Sequence, residues 1–272
     1  MKLSPQQLAQ YERDGFLVFP ELFSQAEIDV LRAETARLCA IDAETVIRER
    51  TGGVRSIFRV HEEDGATRSG AFRALVRTPR VLEPTVQVLG GGAYVYHTKI
   101  NTKPAIEGTV WMWHQDYGSW QRDGCPRPDM ATFAVMMTDS VEMNGALYVI
   151  PGSHKRGRIE PYYDDHTSYK FWAVPKAQMI SILRESAHPV PIVGRAGTAA
   201  LFHCNTLHAS GHNLTAEDRW HIYISFNACA NAPQFTERSR PDWVVSRNIG
   251  PLPVEDDGAI LKAQTATRRV FA

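Results

Sequence analysis

The tripeptide His114-Gln115-Asp116 is the first group of residues in this sequence that could bind a metal ion. It lies at the end of a strand-like segment, residues 109–115, and residues two apart on a strand face the same side. The imidazole of His114 and the carboxylate of Asp116 are therefore predicted to point at one ion. A lone His-x-Asp is weak evidence, so a third ligand has to come from elsewhere in the chain.

The segment 201–213 offers that third ligand, because it contains His203, His208 and His212. One of them would complete a set of two imidazoles and one carboxylate, the ligand set of non-haem Fe(II) oxygenases. Such a set leaves coordination positions open, and oxygen chemistry requires open positions. Arg219 follows this segment, and its planar guanidinium can hold a carboxylate through two hydrogen bonds, as a dicarboxylate co-substrate would need.

Composition excludes several other classes of protein. With 272 residues, 43 % of them hydrophobic, the chain can bury a full core and is not a disordered tail. Thirty basic residues balance thirty acidic ones, which disfavours nucleic acid and anionic membranes as partners. The four cysteines are widely spaced and suggest neither a zinc ribbon nor a disulfide framework. We expect a cytoplasmic protein with a small-molecule substrate; the sequence leaves its oligomeric state open, with a homodimer as one alternative.

The first ninety-two residues are predicted to be mainly helical. Ser4 with Gln7, and Ser24 with Glu27, form capping-box patterns that predict two helices on either side of a short strand at residues 16–19. A further helix is predicted to start at Thr78-Pro79, with Pro84 limiting or kinking it.

Residues 93–229 are predicted to form a β core, because short runs of β-branched and aromatic residues alternate with turn signals. Asn144-Gly145 predicts a hairpin with a type I′ turn. The candidate strands are 93–101, 109–115, 131–138, 146–150, 197–203 and 219–228.

Two long segments, 152–192 and 230–259, are predicted to be insertions that serve as lids or binding loops. We predict one domain over residues 1–272, with helical support in 1–92, the β core in 93–229 and a C-terminal extension in 230–272.

Alternation along the strands predicts which side chains reach the site. Trp111 and Trp113 fall on the opposite face from His114 and are expected to pack behind the sheet, whereas Trp120 lies in a following loop and is free to face a cavity. On the last strand, His221 and Tyr223 share a face with Arg219.

Six blocks of sequence, in one order, resemble the phytanoyl-CoA dioxygenase family, on the branch that includes ectoine hydroxylase. The resemblance covers almost the whole chain, and its most specific block is Trp-His-Gln-Asp-Tyr-Gly-Ser-Trp at 113–120. Residues 120–126 depart from the longer aromatic and acidic signature that accompanies ectoine binding in that branch. The other five blocks are 11–18, 97–104, 144–147, 150–155 and 207–210.

The resemblance implies a mainly β protein with flanking helices and a double-stranded β-helix core, the jelly roll of cupin-like proteins. It implies Fe(II) as the metal and 2-oxoglutarate as the co-substrate that chelates it, with Arg219 and Ser210 holding the distal carboxylate and Lys99 close by. Trp120 and Tyr223 match positions that contact substrate, and His97 is a third candidate for that role. The implied iron ligands are His114, Asp116 and His208.

Three other histidines have ordinary interpretations under this assignment. His203 lies within a strand and lacks the Ser and Arg spacings of His208, so we expect it to be packed or to support the site from behind. His212 is the alternative third ligand if the register differs. His154 follows a Pro-Gly-Ser turn and is expected to anchor a loop.

The implied reaction is hydroxylation of an unactivated C–H bond with O2, with release of succinate and CO2 from 2-oxoglutarate. An amino acid or imino acid is the favoured substrate. Desaturation, epoxidation or ring formation on a natural-product intermediate stay open, whereas Asp116 argues against halogenation, because family halogenases lack that carboxylate. A non-catalytic jelly-roll binding protein and a hydrolytic zinc enzyme are the alternatives from other classes.

Overall fold

A computed structural model of the chain describes residues 1–166 and 169–263. The elements, in chain order, are α1 Pro5–Asp14, β1 Phe16–Phe19, α2 Gln25–Cys39, β2 Val46–Arg48, β3 Val54–Phe58, α3 Gly70–Leu75, α4 Pro79–Leu89, β4 Ala93–Asn101, β5 Trp111–His114, α5 Asp116–Trp120, β6 Met130–Met136, β7 Leu147–Val149, β8 Tyr162–Asp164, β9 Phe171–Ala173, α6 Lys176–Glu185, β10 Val190–Ile192, β11 Ala199–His203, β12 His208–Ser210 and β13 His221–Ala228.

The N-terminal helices begin where the sequence patterns predicted. In α1 the Ser4 hydroxyl accepts from the Gln7 backbone N–H at 3.2 Å, and the Gln7 side chain accepts from the Ser4 N–H at 2.9 Å. Ser24 and Glu27 form the same capping box on α2. Helix α4 continues through Pro84 and ends at Leu89, so this proline does not limit it.

Two antiparallel sheets form the β core. The larger sheet has the strand order β1-β11-β6-β13-β4-β3-β2, and the smaller has the order β10-β7-β12-β5. Strand β13 shows how they are packed: Ile222 and Ile224 belong to the core beneath the helices, while Tyr223 faces a second core shared with the smaller sheet. The mainly β class with flanking helices is thereby confirmed.

The predicted hairpin at Asn144-Gly145 is wrong. Strands β6 and β7 belong to different sheets and do not pair, so the chain crosses from one sheet to the other here. Residues Glu142–Asn144 form a short 3-10 turn, and Gly145 caps it with φ 77°. Only the glycine has a positive φ, whereas a type I′ turn needs one at both central residues.

The segment 152–192 contains more regular structure than its sequence indicated: the two-stranded sheet β8-β9, helix α6 and edge strand β10. Strands β2, β3 and β12 and helices α3 and α5, each of six residues or fewer, were not among the elements predicted from the sequence. The predicted extension 230–272 runs past residue 263 and so lies partly outside the described residues. No helix in the part of the chain that is described is long and apolar enough to cross a membrane.

Candidate metal centre and cavities

His114, Asp116 and His208 come together in the space between the smaller sheet and the larger one. His114 is the last residue of β5 and pairs directly with His208, the first residue of β12. Strand β5 ends there, so Asp116 is the first residue of α5 rather than part of a strand. One ligand atom from each of the three residues lies within 4.8 Å of the other two.

Hydrogen bonds orient the triad. The Nδ1 atoms of His114 and His208 lie 2.7 Å and 2.9 Å from the carbonyl oxygens of Met112 and Thr206, so each Nδ1–H donates to the backbone. Both Nε2 atoms then face the Asp116 carboxylate, 3.9 Å and 3.7 Å from its Oδ1. Burial lowers the pKa of both histidines, which favours the neutral imidazole that a metal requires.

Trp111 lines the cavity beside the triad, which contradicts its expected place behind the sheet. A β-bulge causes the difference. Moving two residues along β12, from His208 to Ser210, corresponds to moving three residues along β5, from His114 to Trp111, so β5 has one extra residue. The extra residue turns Trp111 onto the face of His114, and their rings are 6.3 Å apart. Trp113 packs against the apolar cluster that contains Ile150 on the far side, as expected.

A cluster of cationic side chains lies on one side of the triad. Lys99 is half-buried, and its Nζ is 4.2 Å from the centre of the Trp111 ring. Removal from water lowers its pKa to about 8, against the opposing effect of Asp116. Arg219 is 0 % exposed, with Nη1 2.5 Å from the Nδ1 of His221. Its Nε and Nη2 atoms have no hydrogen-bond partner within the described residues.

Lys103 was missed by the sequence analysis, although it belongs to one of the family-like blocks. Its buried ammonium donates to the Ser210 hydroxyl at 3.1 Å, to the Thr109 carbonyl at 2.9 Å and to the Gly211 carbonyl. Burial, reinforced by Arg219, lowers its pKa to about 6. The sequence shows the lysine, but only the fold shows that it is buried beside Ser210.

Two connected cavities meet at the triad. The inner cavity, about 20 Å³, lies between the sheets, and Asn101, Ser210 and Tyr223 are among its lining residues. The outer cavity, about 310 Å³, is lined from β8, β9 and residues 238–240 as well as the sheets. Five residues line both cavities: His97, Lys99, Trp111, His114 and Asp116.

The three predicted substrate residues lie along these cavities. His97 lines both, Tyr223 lines the inner one and Trp120 lines the outer one. The His97 ring is edge-on to the Trp120 ring at 5.7 Å, and its Nε2 is 3.2 Å from the hydroxyl of Ser225. Sequence analysis missed Tyr169, Phe171 and Trp172 in the outer wall; their signal was the aromatic content of the segment 152–192.

The remaining histidines have structural contacts away from the triad. The Nδ1 atom of His203 accepts from the Asn205 backbone N–H at 3.0 Å, and its ring is 5.4 Å from that of His154. His154 lies 3.2 Å from the Glu12 carbonyl and so links its loop to α1. The Nδ1 atom of His212 lies 3.2 Å from the Gly108 carbonyl.

Comparisons with known proteins agree with this geometry. The chain is 35 % identical over 262 residues to an ectoine dioxygenase of Nocardia farcinica, covering 91 % of this chain and 86 % of that one. It is 33 % identical to an L-proline trans-4-hydroxylase of Streptomyces griseoviridis, covering 91 % and 95 %. The crystal structure of EctD from S. alaskensis with 2-oxoglutarate and 5-hydroxyectoine superposes with a TM-score of 0.80 at 28 % identity, covering 93 % and 88 %.

The family model for phytanoyl-CoA dioxygenase matches residues 11–220. That span begins in α1 and ends just before β13, so it includes the whole triad. The dioxygenase class expected from the sequence is thereby confirmed. The chain belongs to the phytanoyl-CoA dioxygenase family.

Proposed function

We propose that the chain is an Fe(II)- and 2-oxoglutarate-dependent dioxygenase that hydroxylates an unactivated C–H bond of a small molecule. The observation that carries this proposal is the convergence of His114, Asp116 and His208, two neutral imidazoles and one carboxylate, on one point. This donor set fits iron with open coordination positions. An iron ion bound there supplies, with O2 and 2-oxoglutarate, the oxidising chemistry, and succinate and CO2 are the co-products.

Arg219 and Ser210 are proposed to hold the distal carboxylate of 2-oxoglutarate. The buried Nε and Nη2 atoms of Arg219 support this, because unpartnered guanidinium donors are costly and a carboxylate would satisfy both. His221 accepts from the remaining arm of Arg219 and so holds the guanidinium in place. Lys99 lines both cavities, and its positive charge would attract an anionic co-substrate.

We propose an amino acid or imino acid as the substrate, in contact with His97, Trp120 and Tyr223. The names of the two relatives, an ectoine dioxygenase and a proline hydroxylase, support a small cyclic substrate. The rings of these three residues, with Trp111, exclude water from the reacting end of the cavity.

Three other expectations complete the proposal. The two facing antiparallel sheets support a double-stranded β-helix within one domain. The four cysteines are free, which supports work in the reducing cytoplasm. A formal net charge of zero supports a protein without a nucleic-acid or membrane partner.

Anaerobic addition of Fe(II) and 2-oxoglutarate tests the proposal. We expect a visible charge-transfer band, and then succinate release under oxygen across a panel that contains L-proline, ectoine, other cyclic amino acids and hydrophobic natural-product scaffolds. The product mass distinguishes a gain of oxygen from a loss of hydrogen, which would indicate desaturation or ring formation. Absence of both the band and succinate would favour a binding protein, and turnover with zinc in the absence of oxygen would favour a hydrolase.

A further inference from the structure

A row of three polar side chains crosses the larger sheet beside the triad. Thr132 on β6, Ser225 on β13 and His97 on β4 are direct partners across neighbouring strands. The Thr132 hydroxyl lies 3.1 Å from Oδ2 of Asp116 and 3.2 Å from the Ser225 hydroxyl. The Ser225 hydroxyl lies 3.2 Å from Nε2 of His97. Each member of the row is 5 % exposed or less, so these groups satisfy one another inside the protein.

The chemistry of Asp116 determines the direction of every hydrogen bond in this row. As a metal ligand Asp116 is a carboxylate, which only accepts, so the Thr132 hydroxyl donates its single proton to Oδ2. Thr132 then accepts from Ser225, and Ser225 in turn accepts from Nε2–H of His97. Burial lowers the pKa of His97 well below its usual value, so the ring is neutral and carries one proton. That proton is therefore on Nε2.

The two carboxylate oxygens of Asp116 have different surroundings. Oδ1 lies 3.9 Å from Nε2 of His114 and 3.7 Å from Nε2 of His208, whereas Oδ2 accepts from Thr132. Asp116 begins the five-residue helix α5, so no strand pairing restrains it as it restrains the two histidines. Thr132 thus gives Asp116 the anchor that backbone carbonyls give the histidine Nδ1 atoms.

We propose that Thr132 and Ser225 are positioning residues for the metal centre: Thr132 holds Asp116 with Oδ1 towards the two histidine Nε2 atoms, and Ser225 holds the Thr132 hydroxyl. This inference rests on the metal centre of the proposed function and adds the residues that prepare it for the ion. Ser225 acts through Thr132, because its hydroxyl bonds to Thr132 and His97 and not to the triad. Since His97 lines both cavities, the row also connects the cavity wall to a metal ligand.

Calorimetric titration of the full chain with Co(II), without 2-oxoglutarate, tests the inference. Co(II) accepts the same nitrogen and oxygen ligands as Fe(II). Thr132→Val keeps the shape of the side chain but removes the donor, and should weaken Co(II) binding about ten- to hundredfold. Thr132→Ser retains a hydroxyl and should restore most of that affinity. The matched control is Thr35→Val, because the buried Thr35 hydroxyl on α2 donates to the Leu31 carbonyl; its Co(II) binding should not change.

The role of Ser225 is tested by a double-mutant cycle. Ser225→Ala should weaken Co(II) binding about two- to tenfold, because the row loses a neutral hydrogen bond. In Thr132→Val/Ser225→Ala the serine change should add nothing, since its effect passes through Thr132. Circular dichroism checks that each variant is folded, and Ser225→Ala keeps the test decisive if the valine variant does not fold. Additive losses in the double variant would overturn the assigned order of the row.

Nitrogen-15 NMR of the histidines in the diamagnetic Zn(II)-bound protein gives a readout that does not depend on affinity. We expect His97 to be protonated on Nε2, with its signal assigned by its absence in His97→Gln. A proton on Nδ1 instead would reverse the row and overturn the inference.

The outcomes separate this inference from the metal centre on which it rests. Co(II) binding by the wild type that Thr132→Val leaves unchanged or makes tighter would overturn the inference alone. An equal loss of affinity in Thr132→Ser would also overturn it, because the hydroxyl would then not be the group that matters. A wild-type chain that binds no Co(II) would overturn the metal centre itself and the inference with it.

Discussion

The inner and outer cavities are built in opposite ways, although they share a wall. The inner cavity lies between paired strands of two sheets, and several polar side chains that line it are buried and held by hydrogen bonds, as are His114, His208 and Ser210. The outer cavity is completed by the short β8-β9 sheet and residues 238–240, where Tyr163 is 51 % exposed. We infer that the fold fixes the side chains around the metal ligands more firmly than the side chains of the outer cavity.

The physical reason is the number of restraints on each side chain. A residue on a strand that is paired on both sides is held by backbone hydrogen bonds to both neighbouring strands and by the packed core behind it. A residue on a short edge element has few such restraints, so its substitution changes the ligand without disturbing the fold. Substitutions in the two cavities should therefore have effects of different size and kind.

The largest effect is expected in the inner cavity, at the triad. His208→Ala should abolish iron binding and turnover, because one imidazole and its oriented Nε2 are lost. His203→Ala and His212→Ala are the matched controls and should retain iron, since neither belongs to the triad. Metal content after anaerobic loading measures this; loss of iron in the His212 variant, but not in the His208 variant, would reassign the third ligand.

A smaller effect is expected for Arg219→Ala. Loss of charge-assisted hydrogen bonds worth roughly 1.5 to 3 kcal/mol should weaken 2-oxoglutarate binding about ten- to hundredfold. Anaerobic titration of the charge-transfer band measures the dissociation constant. An unchanged constant would show that Arg219 does not bind the co-substrate.

The pH dependence of co-substrate binding should come next in size. The pKa of Lys103, lowered to about 6 by burial and Arg219, should rise when a dicarboxylate binds nearby, so binding takes up a proton. Affinity for 2-oxoglutarate is then full below pH 6 and falls as the pH rises, by at most about tenfold per pH unit.

Lys103→Met should flatten this profile between pH 6 and the range in which Lys99, with a pKa of about 8, begins to titrate. Arg55 and Glu49 also act on Lys103 electrostatically. The titration of the charge-transfer band at several pH values provides the measurement. An equally steep profile in the variant would rule out Lys103 as the proton acceptor.

The smallest effect is expected in the outer cavity. Trp172→Ala removes one wall and its stacking on Arg122, worth about 0.5 to 1 kcal/mol at an exposed site. The KM for the substrate should rise about two- to fivefold, by more than kcat falls. Steady-state succinate release with the substrate found in the panel gives both constants. A large fall in kcat instead would mean that the outer cavity is as constrained as the inner one.

Much of the site could be predicted from the sequence because residue types and spacing carry it. The His-x-Asp pair, the histidine at 208 and the arginine eleven residues later are all visible in the printed chain. The capping boxes at Ser4 and Ser24 were equally clear, because they depend on residues three apart. Alternation also grouped Arg219, His221 and Tyr223 correctly, since β13 is regular at that end.

The errors arose where pairing between distant strands decided the outcome. Trp111 was assigned to the wrong face because a bulge against β12 reverses the alternation of β5. Asn144-Gly145 resembled a hairpin turn, yet the flanking strands pair with other partners. Neither the bulge nor the partners leave a local mark in the sequence.

By itself, the sequence determined the metal ligands that are available, the capped helices and the family, because these depend on residue identity and short spacing. Only the tertiary structure decided which side chains are buried together: Trp111 beside His114, and Lys103 beside Ser210. Burial changes a pKa and the strength of a hydrogen bond through the neighbours that displace water, and those neighbours come from distant parts of the chain.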